Sequence, residues 1–179
     1  MPIFYYDLRP QNAHVPTYGI AKVLAMETAR LFGAVRHAGA GIGIDSCCAA
    51  FAVYPDQQIH AIENQQFGAT YGNSQIAARG LDLGPLGGHA ERCAITAAGN
   101  YGLTPLEPDA VLFVELEPCD GCKNWLLGNG GGVENPYDFG PTGKTLCVWY
   151  AFPYPGGVQA MHDFHNLSVE DQQNEILQW

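Results

Sequence analysis

Positive charge is scarce in this chain. Lys and Arg together number 8 against 18 Asp and Glu, for a net charge of −10. That excludes a broad basic face of the kind that holds long nucleic acid without regard to sequence, since each neutralised phosphate needs a cation. The deficit is uneven. Between Asn64 and Leu103 the acids Asp82 and Glu91 are balanced by Arg79 and Arg92, and Lys123 and Lys144 follow. Asp163, Glu170, Asp171 and Glu175 crowd the far end. A local site could therefore still take an anionic substrate. Long apolar runs are also missing. No stretch of 18 apolar residues exists, so no membrane-spanning helix is expected. Met1 to Pro10 has no basic segment followed by an apolar one, so no signal peptide is expected, and the site of action is read as the cytoplasm. There is no internal repeat and no composition break. With 179 residues, 47% apolar and 15% charged, the chain is expected to fold as a single domain over 1–179 and not to be disordered.

Six cysteines are present: Cys47, Cys48, Cys93, Cys119, Cys122 and Cys147. An even number can signal disulfides in a secreted protein. Here Cys119 and Cys122 form a CxxC downstream of a His, in a chain without an export signal. Reduced thiols, two of them on a metal, are the better reading. The motifs are His89-Ala90-Glu91 and Pro118-Cys119-Asp120-Gly121-Cys122. They offer one imidazole and two thiolates, with Glu91 to spare. A structural zinc is closed by four protein ligands, whereas a catalytic one keeps three and leaves a place for water. Cys93, one turn past the His, reads as a small buried residue and not as a fourth ligand. His162 and His165 read as solvated or capping residues and not as a second metal pair.

Apolar spacing predicts a helix over about 17–37, with Ile20, Leu24, Leu31 and Val35 on one stripe. The glycines from Gly39 to Gly43 follow that helix without opening another, so they read as a linker. Cys47 to Tyr54 and Gln58 to Glu63 read as a β-hairpin turning at Pro55-Asp56. Asn64 to Gly88 reads as a loop with a short helical piece near Ile76 to Arg79. A helix over His89 to Gly102, a strand over Ala110 to Leu116 and a helix over Cys119 to Leu127 come next. The Gly-rich stretch from Gly128 to Gly143 reads as a long loop, either gating a site with Tyr137 and Phe139 or merely mobile. Leu146 to Phe152 is a strand. Trp149, Tyr150, Phe152 and Tyr154 are either base-stacking or core aromatics. Two short helices close the chain, the second capped by Ser168. Strands alternating with helices predict an α/β fold with helices on both faces of a sheet that is parallel after the hairpin.

Both motifs fall at helix starts, on either side of one strand. Their mouths can then share a crevice at the strand's carboxyl end. Helix N-termini favour anions, which is expected to lower the thiol pKa of Cys119 and Cys122. Two thiolates and an imidazole suit Zn2+. Bound zinc makes hydroxide available near neutral pH, and Glu91 can carry the protons.

His-x-Glu followed by Pro-Cys-x-x-Cys resembles the signature of the zinc-dependent cytidine deaminase superfamily. The 26 residues between Glu91 and Pro118 suit it. Gly88-His89-Ala90-Glu91 resembles polynucleotide and bacterial toxin deaminases. Glu91-Arg92 with Ala94-Ile95, and Ile62-Glu63-Asn64, are similar to segments of free-nucleoside cytidine deaminases. The resemblance spans Cys47 to Leu127. It implies a cytidine deaminase-like fold, a five-stranded mixed sheet flanked by helices. It implies zinc on His89, Cys119 and Cys122, proton transfer by Glu91, and hydrolytic conversion of cytosine to uracil. It further implies that Ala90 N–H faces the ring carbonyl, that Asn64 contacts the sugar or phosphate, and that Pro118 shapes the pocket wall. Cytosine in single-stranded DNA, acted on by a toxin-type enzyme delivered as a secreted domain and checked by an immunity protein, is the favoured expectation. Free cytidine or a related nucleoside or nucleotide is the alternative.

Overall fold

The computed structural model describes residues 3–39, 41–52, 69–73, 89–100, 102, 109–128, 135–137, 139 and 144–179. Five strands, β1 (Ile3–Asp7), β2 (Cys48–Ala52), β3 (Ala69–Asn73), β4 (Asp109–Leu116) and β5 (Thr145–Phe152), form one sheet in the order β1-β5-β4-β2-β3. β1, β5 and β4 run parallel, while β2 is antiparallel to both β3 and β4. Among the described residues five α-helices flank it: α1 (Tyr18–His37), α2 (Ala90–Asn100), α3 (Asp120–Leu126), α4 (Val158–Asn166) and α5 (Val169–Gln178).

The strand register decides which helices share a face. Ala49 lies opposite Val114 and Gly72, and Phe51 lies opposite Leu112 and Thr70. The Thr70 hydroxyl donates to the Ala94 carbonyl at 2.6 Å, which puts α2 on that face. Tyr5 shares the face through its partner Val148, and the Lys123 ammonium of α3 lies over its ring. Glu115 points to the other face, where it meets Arg36 of α1 and His165 of α4. The mixed five-stranded sheet with helices on both faces is the expected architecture.

α1 begins one residue later than its expected start, and its buried stripe is made mostly of small residues. Ala21, Leu24, Ala25, Thr28, Ala29, Gly33 and Arg36 face inward, while Leu31 and Val35 are only half-buried. Small side chains let the helix lie close to its neighbours: a Cβ on Gly33 would stand 3.0 Å from Cγ2 of Val169 in α5. Ser168 caps α5 as expected, its hydroxyl accepting from the Asp171 amide at 3.1 Å.

Two strands depart from the sequence expectation. β1 was not anticipated; its Ile3-Phe4-Tyr5-Tyr6 run favours a strand, but it is five residues long, lies at the sheet edge and leaves Phe4 42% exposed. β3 falls in the segment read as loop. The expected second hairpin strand, Gln58 to Glu63, lies outside the described residues, as does the helical piece at Ile76 to Arg79. The glycine in β3 that suggested a loop has a packing reason instead. A Cβ on Gly72 would stand 2.6 Å from the Ala94 nitrogen and 2.7 Å from the Ala90 carbonyl oxygen, so α2 lies directly against the strand.

The aromatic residues sort into core and surface. Trp149 and Phe152 are buried, and Trp149 Nε1 donates to the Thr17 hydroxyl at 2.9 Å. Tyr150 is half-buried and Tyr154 is 50% exposed. Phe139 is buried, and it and Tyr137 pack on Phe51, so these two rings belong to the core rather than to a gate.

Candidate metal centre

β4 delivers the chain through Pro118, which is buried, to Cys119 at the start of α3. Cys119 is the N-cap, with extended backbone (φ −67, ψ 168) and a carbonyl that accepts the first helical bond from Lys123 at 2.9 Å. Asp120 and Gly121 follow, and Cys122, about one turn on, brings its sulfur into one group with that of Cys119. Across the sheet face, His89 precedes α2 and its carbonyl takes that helix's bond from Cys93 at 3.1 Å. The strand pairing of β4 with β2, and the contact of α2 with β2 and β3, bring the two helix starts together.

The donor atoms of His89, Cys119 and Cys122 lie within 4.8 Å of one another. Cys122 Sγ is 3.1 Å from His89 Nδ1. Bonds of about 2.3 Å to sulfur and about 2.0 Å to nitrogen at tetrahedral angles place donors roughly 3.5–3.8 Å apart. The three donors are gathered closely enough to meet on one ion, with Cys122 and His89 somewhat nearer than a bound ion would hold them, and their chemistry suits Zn2+. Among the described residues this is the one such group.

Glu91 stands inside the same pocket. It is 4% exposed, and its Oε1 lies 4.0 Å from His89 Nδ1. A buried carboxylate is costly without a partner cation, and a metal on the three donors would provide one. Cys122 departs from the expected behaviour of a thiol near a helix start. Burial, then the nearby Glu91, push its thiol well up, and a hydrogen bond from Arg92 pulls in the opposite direction. These groups disfavour the Cys122 thiolate, and a bound ion would supply the charge that favours it.

Several neighbours were not anticipated. Arg92, buried in α2, donates to the Gly121 carbonyl at 3.0 Å and lies 5.4 Å over the Trp125 ring, tying the two ligand helices together. Its signal was an Arg among alanines next to the catalytic candidate. Tyr5 of β1 has its phenol pushed up to about 12 by burial and by the charges of Glu91, Cys122 and Glu117. Lys123 bridges Tyr5 and Glu117, the latter at 3.2 Å. No pattern in the sequence connects β1 to residues so distant.

The remaining expectations divide. Cys93 is fully buried with its sulfur 3.6 Å from the Asn73 carbonyl, outside the donor group, as anticipated. His165 is buried and not solvated, with both ring nitrogens against acceptors, and His162 is half-buried on the same helix without joining it. Ala90 opens α2. Asn64 lies outside the described residues.

Residues 45–130 match the family model described as the cytidine and deoxycytidylate deaminase zinc-binding region. No curated protein matches the chain. The matched span contains all three donors, Glu91 and Pro118. Together with the His-Cys-Cys cluster, the match supports the cytidine deaminase superfamily, and with it zinc-dependent deamination of cytosine or cytidine in general. No described helix is long and apolar enough to cross a membrane.

Proposed function

We propose that residues 1–179 form a single deaminase domain that hydrolyses cytosine to uracil in single-stranded DNA. The carrying observation is Glu91, a buried carboxylate 4.0 Å from a ligand imidazole that a three-donor metal site does not need. Zinc at His89, Cys119 and Cys122 would supply a Lewis acid that brings the pKa of water to about 7. Glu91 takes the proton from the attacking water and returns it to the departing amine, so that ammonia leaves and the ring keeps a carbonyl. The first N–H groups of a helix have no intrahelical partner, so Ala90 N–H is free to hold the carbonyl of the base. Pro118 sets the wall where β4 enters α3, and Asn64 is assigned to the sugar or phosphate.

The polymer substrate is supported by the His-Ala-Glu form and by the long segments between the elements. On this reading the domain acts as a toxin-type deaminase on DNA in a recipient cytoplasm, with an immunity protein as its partner. A second reading, free cytidine or deoxycytidine, is favoured by the net charge of −10, which opposes a polyanion. The test is direct. Zinc-loaded protein is incubated with cytidine, dCMP, a single-stranded oligonucleotide and a duplex, and uracil is quantified. Conversion of the single strand supports the first reading. Exclusive conversion of free cytidine or dCMP overturns it in favour of the second.

A further inference from the structure

On the face of the sheet opposite the metal centre, Glu115 is buried at 2% exposure. Its Oε1 accepts from Arg36 Nη2 at 3.0 Å and from the Cys48 amide at 2.8 Å. Its Oε2 lies 2.9 Å from His165 Nε2. The same groups reach on to the segment that leads into β2. Arg36 donates to the carbonyls of Gly43 at 3.1 Å and Ser46 at 2.9 Å, and His165 Nδ1 lies 2.7 Å from the Ile44 carbonyl. Asn73 donates to the Cys47 carbonyl at 3.1 Å. Four carbonyls of a non-repetitive segment are thus held by three buried side chains.

Such a cluster does not explain itself by stability. Taking charges out of water costs much of what their attraction returns, and apolar packing of the same volume often does as well. What the cluster does supply is a fixed geometry for residues 43–48. The end of that segment reaches the candidate site. Cys47 is hydrogen-bonded to the Leu116 backbone. Two residues on, Ala49 pairs with Gly72, and the Ala90 carbonyl at the start of α2 lies against that glycine, so by strand alternation the Cys47 side chain leaves the segment on the face that carries α2 and Glu91. Leu116 in turn is three residues before Cys119.

We propose that Glu115 is a positioning residue of the candidate site: through Arg36, His165 and the Cys48 amide it fixes segment 43–48, and so holds Cys47 as a wall of the pocket beside Glu91. Glu115 itself touches neither the metal donors nor the substrate. The proposal rests on the deaminase reading for its effect on substrate, but the placement of Cys47 can be measured without turnover.

The experiment compares zinc-loaded wild type with Glu115→Gln under iodoacetamide at one pH, following the Cys47 and Cys93 peptides by mass spectrometry. Kinetics with whichever cytosine substrate the wild type converts are measured alongside. The expected result is alkylation of Cys47 at least tenfold faster with Cys93 unchanged, and KM raised at least fivefold with kcat and zinc content within twofold. An unchanged Cys47 rate overturns the proposal. So does a joint rise at Cys47 and Cys93, which marks general loosening, or an unchanged KM with Cys47 freed. Should Glu115→Gln fail to fold, His165→Gln is read in the same way, with at least a threefold rise at Cys47 expected and no rise overturning the proposal. A wild type that binds zinc but converts no cytosine sinks the deaminase reading and leaves the alkylation result to stand by itself.

Discussion

The Glu91 carboxylate lies 4.0 Å from Nδ1 of His89, the two side chains separated in sequence by Ala90 alone. On the proposed reading, that closeness would put the proton carrier beside the metal without making it a ligand. Glu91→Ala is expected to retain zinc at wild-type stoichiometry and to lose about 10²–10⁴ in kcat, the usual range for general acid–base groups. Metal analysis beside a uracil assay checks it. Parental turnover in the variant would remove Glu91 from the chemistry.

Cys119→Ala separates ligand from proton carrier. Loss of one thiolate leaves two donors, so zinc content should fall along with activity. A metal that binds only the folded state stabilises it by about 2.7 kcal/mol at a hundredfold excess over Kd. Chelation should therefore lower the melting temperature of the wild type, and added zinc should restore it together with activity. The Cys119→Ala melting curve should not respond to zinc. An equal response in both proteins would place the metal elsewhere.

The metal motifs were legible because ligand type, order and spacing are local in sequence. The helices that carry them were legible for the same reason, within a residue or two at each end. What the sequence hid is non-local. β1 carries strand-favouring residues, but it is short, shows no alternation and finds its partner β5 about 140 residues away, so its place in the sheet is not marked locally. β3 contains Gly72, and glycine reads as a turn signal until the α2 backbone is seen pressed against it. The Glu115 cluster joins α1, β2, β4 and α4, each of which gave only an isolated polar residue in the sequence. The upward pull of burial and Glu91 on the Cys122 thiol was hidden too, because helix polarity is visible in sequence and burial is not.

Gly72 offers a test of how tightly α2 is placed. A Cβ there would stand 2.4 Å from Cys93 Cβ and under 3 Å from two backbone atoms of α2. Neither backbone group can yield without moving the helix that begins at Ala90. Gly72→Ala should cost about 1–3 kcal/mol, as overpacking does. Because the displaced helix carries Glu91 and follows His89, activity per folded molecule should fall as well. Urea unfolding and kinetics on the folded fraction separate the two effects. A variant of unchanged stability would show that α2 and β3 are less closely packed than these distances require.

Glu115 sets an acid limit on stability. Burial alone would raise its carboxyl; His165 and Arg36, with hydrogen bonds from His165 and the Cys48 amide, outweigh burial and hold it at about 2 against an ordinary 4.5. The folded value lies below the unfolded one, so the group contributes stability in full above about pH 4.5 and loses it as the pH falls toward 2. Wild-type urea midpoints should therefore decline through that window. Glu115→Gln cannot bind this proton, so its midpoint should start lower at pH 7 and decline less on acidification. Parallel declines in the two proteins would show that other carboxylates govern the acid limb, and that the buried cluster contributes no proton linkage of its own.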